Sequence, residues 1–280
     1  MNGSNRSHRK TMKFVVNGKK KKLWKGKFKD VIFSKSRGEI VSIVRELIKN
    51  GERNIVAVGG DGTFHEVING CFQNGKVINE NVTIHLFFLG SSGDTLRTLK
   101  KPIKSDVIEI SWHSEKKYSV NMVNFGIGGV VSSFAYGLPF LKGKLKYELS
   151  TFYSFVKFKG DKISLEIDNK KIGSYEILNL AVANGEFTGG GMWMAPGAKM
   201  DDGILDVVII RNMSTSDFLK KLPKLYSGEI YEVKEVIHLQ GKQIKIEGVT
   251  SFEADGEPSG KSPVQLRVIP SVLNLVPYGM

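Results

Sequence analysis

Residues 55 to 70 read Ile-Val-Ala-Val-Gly-Gly-Asp-Gly-Thr-Phe-His-Glu-Val-Ile-Asn-Gly, and this stretch constrains the fold more than any other. Ile55 to Val58 is an apolar, β-branched run, which predicts a short strand buried on both faces. Gly59, Gly60 and Gly62 permit backbone conformations and approaches that a Cβ forbids. From Thr63 onward, Phe64, Val67, Ile68 and Phe72 recur at spacings of three and four, which predicts a helix. A strand, a glycine turn and a helix N-terminus in series present backbone N–H groups and a positive dipole end to an anion. Asp61 falls inside the turn. A carboxylate beside a phosphate repels it unless a divalent cation lies between, so Mg²⁺ is expected. The alternative is an ordinary βα turn whose glycines only save space. Three commoner motifs are excluded. The glycine loop does not run into Gly-Lys-Ser or Gly-Lys-Thr, and the Gly-Lys-Ser at 260–262 has Asp255 where a Walker loop has its first glycine; His65 stands where a dinucleotide loop has its third glycine, and Asn69 replaces the second histidine of a zinc protease helix.

The elements around this stretch predict an α/β half. Strands are expected at Phe14–Val16 and Asp30–Phe33, with an amphipathic helix from Glu39 to Asn50 ended by Gly51. The first strand empties into Asn17-Gly18 and the lysines Lys19 to Lys22, which form a second phosphate-contacting loop or a solvated basic turn. Val82–Leu89 is a further strand, ending in Gly90-Ser91-Ser92-Gly93-Asp94, and Asp106–Ile110 closes the half. Strands alternating with helices imply a doubly wound, mainly parallel sheet that binds ligands at the carboxyl ends of its strands. Asp61 and Asp94 should therefore meet at one edge.

Beyond Trp112 the pattern changes. Tyr118–Phe125 reads as a strand and Asn124 to Gly129 as a flexible turn. Residues 138–159 mix aromatics and leucines with Lys142, Lys144, Lys146, Lys157 and Lys159, which fits core helix packing or a lysine-rimmed membrane contact. From 163 onward, short strands at 163–167, 175–183, 204–211, 234–239, 243–247, 250–254 and 264–269 predict a β-sandwich or open barrel. One helix, announced by Ser214-Thr215-Ser216-Asp217, interrupts them.

Composition narrows the partners. The 41 basic and 28 acidic residues leave a net charge of +13, which attracts polyanions. These include nucleic acid, anionic lipid surfaces and nucleotides; no RNA-binding or helix-turn-helix signature favours nucleic acid, and an anionic membrane surface is the expected partner for a reason carried by the motifs of the second half. The single cysteine, Cys71, cannot form an internal disulfide, and a reducing cytoplasm fits, with the protein peripheral to the membrane. No run of eighteen apolar residues is present, and residues 1–12 are expected to be a disordered basic tail without a secretory signal.

The second half makes the pattern specific. Asn184-Gly185, Gly189-Gly190-Gly191-Met192, Ala195-Pro196, Ala198, Asp201-Asp202-Gly203-Ile204-Leu205-Asp206 and Asp255-Gly256-Glu257 accompany the Gly59-Gly60-Asp61-Gly62-Thr63 loop. Over about residues 13 to 277 the chain resembles the bacterial diacylglycerol kinase and related lipid kinase family. That resemblance implies a nucleotide-binding α/β domain at 13–111, completed by 271–280, and a β-sandwich-like acceptor domain at 112–270. It implies an enzyme that moves the γ-phosphoryl group of ATP, with Mg²⁺, to the hydroxyl of a lipid alcohol. It places Asn17, Ser34, Gly59, Gly60, Asp61, Gly62, Thr63, Phe64, His65, Glu66 and Ser91 at the nucleotide, and Asp61 and Asp94 near catalytic Mg²⁺. Asp255 or Glu257 would be the base on the acceptor hydroxyl. Asp202 and the carbonyls of Lys199 and Ile204 would form a separate structural cation site.

The chain departs from the family pattern in several places: Ser34 and Ser91 stand where the family has threonine, Gly18 replaces a proline, Gly93 an asparagine, and no aspartate stands near Gly129. Two rival readings follow, a soluble NAD kinase that shares the glycine loop and a non-catalytic lipid-binding relative. Retention of Asp61, Asp94, Asp255 and Glu257 speaks for catalysis. The acceptor lipid, and whether the chain forms a homodimer, are left open by the sequence.

Overall fold

The computed structural model describes residues 12–22, 24, 30–136, 154 and 158–279. The tail before Met12, and all of the 138–159 stretch except Ser154, Phe158 and Lys159, lie outside the described residues.

The apolar runs of the first half become parallel strands. They are β1 (Lys13–Val16), β2 (Val31–Phe33) and β3 (Asn54–Gly59), with α1 (Glu39–Lys49) before β3 and α2 (Asp61–Gly70) after it. A small hairpin, β4 (Phe72–Gln73) and β5 (Lys76–Val77), follows, then β6 (Thr83–Phe88) and the short α3 (Asp94–Thr98). β1 pairs in parallel with β2 and β3, and β3 with β6, so the loops after all four strands open at one edge. Ile40, Val44 and Ile48 of α1 and Phe64, Val67 and Ile68 of α2 bury their stripes against Val15, Ile55 and Ala57. The helix α2 begins at Asp61, two residues earlier than its apolar stripe suggests, because Gly60 takes the cap position and its carbonyl accepts from Thr63 and Phe64 N–H.

The second half consists of β7 (Ile103–Trp112), β8 (Glu115–Ser119), β9 (Met122–Gly126), α4 (Ile127–Tyr136), β10 (Asp161–Ile167), β11 (Lys170–Ala183), β12 (Phe187–Thr188), β13 (Met192–Trp193) and β14 (Leu205–Arg211). After α5 (Thr215–Ser227) come β15 (Val236–Gly241), β16 (Gln243–Gly248), β17 (Ser251–Ala254), β18 (Glu257–Lys261) and β19 (Val264–Pro277). Inward residues from these strands, among them Ile110, Phe125, Leu180, Ile246, Phe252 and Leu266, form a second core.

Two strands join the halves. β19 pairs with β16 at its start, shifts register between Ile269 and Leu273, and ends parallel to β6, with Asn274–Pro277 opposite Thr83–Leu86. β7 runs antiparallel to it along both parts, so it leaves the parallel half instead of closing it. The result among the described residues is one continuous 15-stranded sheet with a parallel end and an antiparallel sandwich-like end.

The stretch after Asn124 differs from the expected flexible turn. β9 continues to Gly126, whose φ of +77° turns the chain directly into α4. The glycines there serve close packing. A Cβ on Gly128 would press on Asn124, and one on Gly129 would collide with the backbone carbonyl of Ser251 on β17. The expected strand 118–125 is likewise two strands, β8 and β9, separated by Val120 and Asn121.

Candidate functional site

The carboxyl edge of the parallel strands gathers the glycine loop and its neighbours. Asn17, after β1, donates from Nδ2 to Thr63 Oγ1 at 3.2 Å, and its Oδ1 caps Lys19 N–H at 3.0 Å. Gly18 N–H donates to Ser34 Oγ at 3.1 Å, binding the β1 loop to the β2 loop. A Cβ at position 18 would run into the carbonyl of Ser34, which accounts for glycine there. Gly60 lies against Gly90 of the β6 loop, and Gly60 provides no side-chain cap for α2. The first turn of α2 is thus an anion-accepting helix end facing the loops that carry Asn17, Ser34 and Lys19. Phe64 contributes no side chain to this edge, being wholly buried in the core. Glu66 points the other way and accepts from Ile40 N–H at 3.3 Å, while Ser91 is exposed on the second loop.

Asp61 and Asp94 do come together, with different surroundings. Asp61 accepts from Gly93 N–H (2.8 Å), Asp94 N–H (3.3 Å), Thr95 N–H (3.1 Å) and Thr95 Oγ1 (3.0 Å). It caps α3 and locks the second loop onto the first. Asp94 accepts at Oδ2 from Ser92 Oγ (2.6 Å) and Gly190 N–H (2.7 Å), which ties the loop to the Gly189-Gly190-Gly191 segment of the sandwich half. Its buried Oδ1 has no hydrogen-bond partner among the described residues, and Arg97 Nε stands 3.5 Å away. Burial raises the Asp94 carboxyl, partly offset by those hydrogen bonds. Gly93 sits at φ +71°, and a Cβ there would press on the ring of the exposed Phe88, which would have to shift to admit the asparagine of the family pattern.

The two acids of the Asp255-Gly256-Glu257 turn separate cleanly. Asp255 is buried and accepts from Ser119 Oγ (2.6 Å) and the N–H groups of Val120 (3.3 Å), Asn121 (3.0 Å) and Met122 (3.2 Å). Its Oδ2 also meets Nδ1 of His65 at 3.0 Å. Glu257 instead is part-exposed, directly above Gly62, where any Cβ would strike its Oε1, and it pairs with Arg37. Of the two carboxylates, Glu257 is the one poised over the glycine loop.

A third acid, Glu253, belongs to the same region. Its Oε1 accepts from Asn124 Nδ2 at 2.5 Å and its Oε2 from Gly256 N–H, and burial pushes its carboxyl up to about 8. Strand alternation is the signal that finds it: Phe252 and Ala254 point into the core, so Glu253 and Asp255 share the opposite face.

At the 199–204 turn, Asp202 accepts from Ile204 N–H at 3.1 Å. The buried Asp106 holds this turn through Gly203 N–H (2.6 Å) and the β19 bend through Ser271 N–H (2.7 Å). Among the described residues, no group of three or more His, Cys, Asp or Glu side chains is arranged to hold a metal, there or elsewhere. For Mg²⁺ at the glycine loops, Asp94 Oδ1, which accepts no hydrogen bond and has only the Arg97 guanidinium near it, fits a cation that takes one carboxylate and completes its shell with phosphates and waters; Asp61 already accepts from four donors.

Residues 5–122 match the family model of the diacylglycerol kinase catalytic domain, and residues 121–277 match that of the YegS C-terminal NAD kinase beta sandwich-like domain. A protein of Alcanivorax borkumensis named "Probable lipid kinase YegS-like" is 27% identical over 266 residues, covering 85% of this chain and 83% of that protein. The protein named "Diacylglycerol kinase" of Bacillus subtilis is 23% identical over 228 residues, covering 75% of this chain and 72% of its own. The crystal structure of a diacylglycerol kinase from Bacillus anthracis shares the fold, with a TM-score of 0.66 at 17% identity over 95% of this chain and 96% of that one.

Proposed function

Because the chain belongs to the diacylglycerol-kinase-like, YegS-type lipid kinase family, we propose that it transfers the γ-phosphoryl group of ATP to the hydroxyl of a lipid alcohol, with Glu257 as the base. The observation that carries this reading is the position of Glu257. Its carboxylate overlooks Gly62 at the start of α2, whereas both oxygens of Asp255 are committed to internal donors.

The chemistry asks for positioning and charge neutralisation more than covalent help. N–H groups at the uncapped start of α2 and the basic loop Lys19–Lys22 hold the phosphates. Asn17 and Ser34 fix the loops that border the nucleotide. Asp94 would hold Mg²⁺, which would supply neutralisation of phosphate charge. The acceptor oxygen forms a bond to the γ-phosphorus, the bond from that phosphorus to the β–γ bridging oxygen breaks, and the hydroxyl proton passes to Glu257. Asp255 orients the turn, through His65 and the 119–122 backbone, without touching the reactants. The net charge of +13 suits work at an anionic membrane surface, and no described helix is long and apolar enough to cross one.

The reading is tested by label transfer from ATP to lipid alcohols in mixed micelles with Mg²⁺, wild type against Glu257→Gln. Loss of product in the variant supports it; labelling that survives the substitution contradicts it.

A further inference from the structure

Glu253 is a buried carboxyl group that the transfer chemistry leaves unused. It lies on β17 between the core residues Phe252 and Ala254 and is 3% exposed. The charges that act on it are those of Asp255 and Asp94, both negative. A buried acid without a counter-ion is costly, and an apolar side chain at this place on the strand would be cheaper. What offsets the cost is a chain of hydrogen bonds that passes through both of its oxygens.

Oε1 accepts from Asn124 Nδ2 at 2.5 Å, across the β17–β9 pair in which the two residues stand opposite each other. Asn124 Oδ1 accepts from Asn179 Nδ2 at 3.3 Å, on the neighbouring strand β11. Asn179 Oδ1 in turn accepts from Gly128 N–H at 3.2 Å, in the first turn of α4. Asn124 and Asn179 are 3% and 5% exposed. A backbone N–H can only donate, so Gly128 fixes the orientation of the Asn179 amide, Asn179 that of Asn124, and Asn124 that of Glu253. One arrangement satisfies the whole chain.

At the other end, Oε2 accepts from Gly256 N–H. Asp255 and Gly256 form the two-residue turn between β17 and β18, with φ of +51° and +85°. Left-handed backbone strains a non-glycine residue such as Asp255, and bonds from outside the turn hold it. The Asp255 carboxylate ties the turn to the 119–122 backbone, and Glu253 ties it to β9, β11 and α4. The next residue is Glu257, whose carboxylate stands over Gly62.

We propose, on the basis of the kinase reading, that Glu253 is a positioning residue for the transfer. Through Gly256 N–H it sets the height of the Glu257 carboxylate above Gly62, and Asn124 and Asn179 brace it from α4. Glu253 touches neither substrate; it acts through Glu257.

The test measures steady-state transfer from labelled ATP, with Mg²⁺, to a mixed-micelle panel of dioctanoylglycerol, monooleoylglycerol and sphingosine, with thermal melting as the check of folding. Glu253→Gln keeps the shape but turns an amide nitrogen towards one of the two donors, and Asn124→Leu removes the donor to Oε1. Either folded variant is expected to lose about tenfold or more in kcat, with both KM values within about twofold of the wild type. Combining Glu253→Gln with Asn124→Asp exchanges acid and amide, remakes every bond of the chain, and should recover most of the rate. In a Glu257→Gln background, Glu253→Gln should cost little further, because both changes act on one carboxylate. An unchanged kcat in a folded variant, a loss that falls on KM, no recovery in the exchanged pair, or the full loss repeated in the Glu257→Gln background overturns the proposal. Should the wild type label none of the panel, the kinase reading fails, and crystal structures still decide the positioning. In Glu253→Gln the Glu257 carboxylate should then be displaced from Gly62 by about 1 Å or more. A carboxylate that stays in place overturns the proposal.

Discussion

His65 Nδ1 and Asp255 Oδ2 meet at 3.0 Å, joining the glycine-loop helix to the Asp-Gly-Glu turn across the two halves of the molecule. Both side chains are buried, at 8% and 1% exposure. Asp255 accepts from four further donors on Ser119 to Met122. Its work is to hold the turn that carries Glu257.

Asp255→Ala should therefore act on stability as well as activity. Three backbone donors, the Ser119 hydroxyl and His65 would all lose a buried acceptor, a cost on the order of 3 kcal/mol or more. Denaturant melts check this: a lower midpoint is expected for Asp255→Ala and little change for Glu257→Gln. Equal midpoints for Asp255→Ala and the wild type would contradict it.

Glu253 predicts a pH dependence with a definite sign. Burial pushes its carboxyl up to about 8 in the folded chain, against an ordinary value of 4.5. Between those values the folded chain holds a proton that the unfolded chain has released, so its contribution to stability is full below about 4.5 and is lost as pH rises towards 8. Glu253→Gln removes that slope. Urea midpoints should show the variant gaining on the wild type from pH 5 to pH 8.5, by up to a few kcal/mol. Parallel profiles would contradict the assignment.

Side chains at Gly93 and Gly129 meet their neighbours closely, and adding them should cost stability. Gly93→Asn puts a side chain into the Phe88 ring, a cost of about 1–3 kcal/mol that Phe88→Ala should relieve in a double-mutant cycle. Gly129→Asp drives a side chain into the Ser251 backbone, with no flexible neighbour to yield, and should lower the melting temperature more than Gly93→Asn. Additive effects at 93 and 88 would contradict the steric account.

Membrane attraction is predicted from charge alone. Reversing Lys142, Lys144 and Lys146 should weaken sedimentation with anionic vesicles, at roughly 1 kcal/mol per lysine near the surface. Unchanged sedimentation would remove this segment from the docking surface.

Much of the parallel half was legible because its signals are local. The glycine loop, the apolar runs and the two helical stripes each lie within one element and its turn. The short strands of the second half were legible from turn spacing in the same way. The threading of β7 and β19 through both halves was not, since it rests on pairings such as Arg267 with Glu109, far apart in sequence. Nor was α4, where Gly126, Gly128 and Gly129 read as a flexible turn although Gly129 lets a helix lie against β17 and Gly128 lets it lie against Asn124 of β9. At the site, the meeting of Asp61 with Asp94 could be expected from strand order. The division of labour between Asp255 and Glu257 could not, because it depends on Ser119 to Met122 closing around one acid and leaving the other over Gly62.

The central claim is that Glu257 is the base of a lipid phosphotransferase. Its most direct test is the rate of label transfer from ATP, with Mg²⁺, to a panel of lipid alcohols, for the wild type and for Glu257→Gln matched in folded fraction. Product from the wild type and a fall of about a hundredfold or more in kcat for the variant is the expected result. A variant that turns over at the wild-type rate, or a wild type that labels no lipid in the panel, would contradict it.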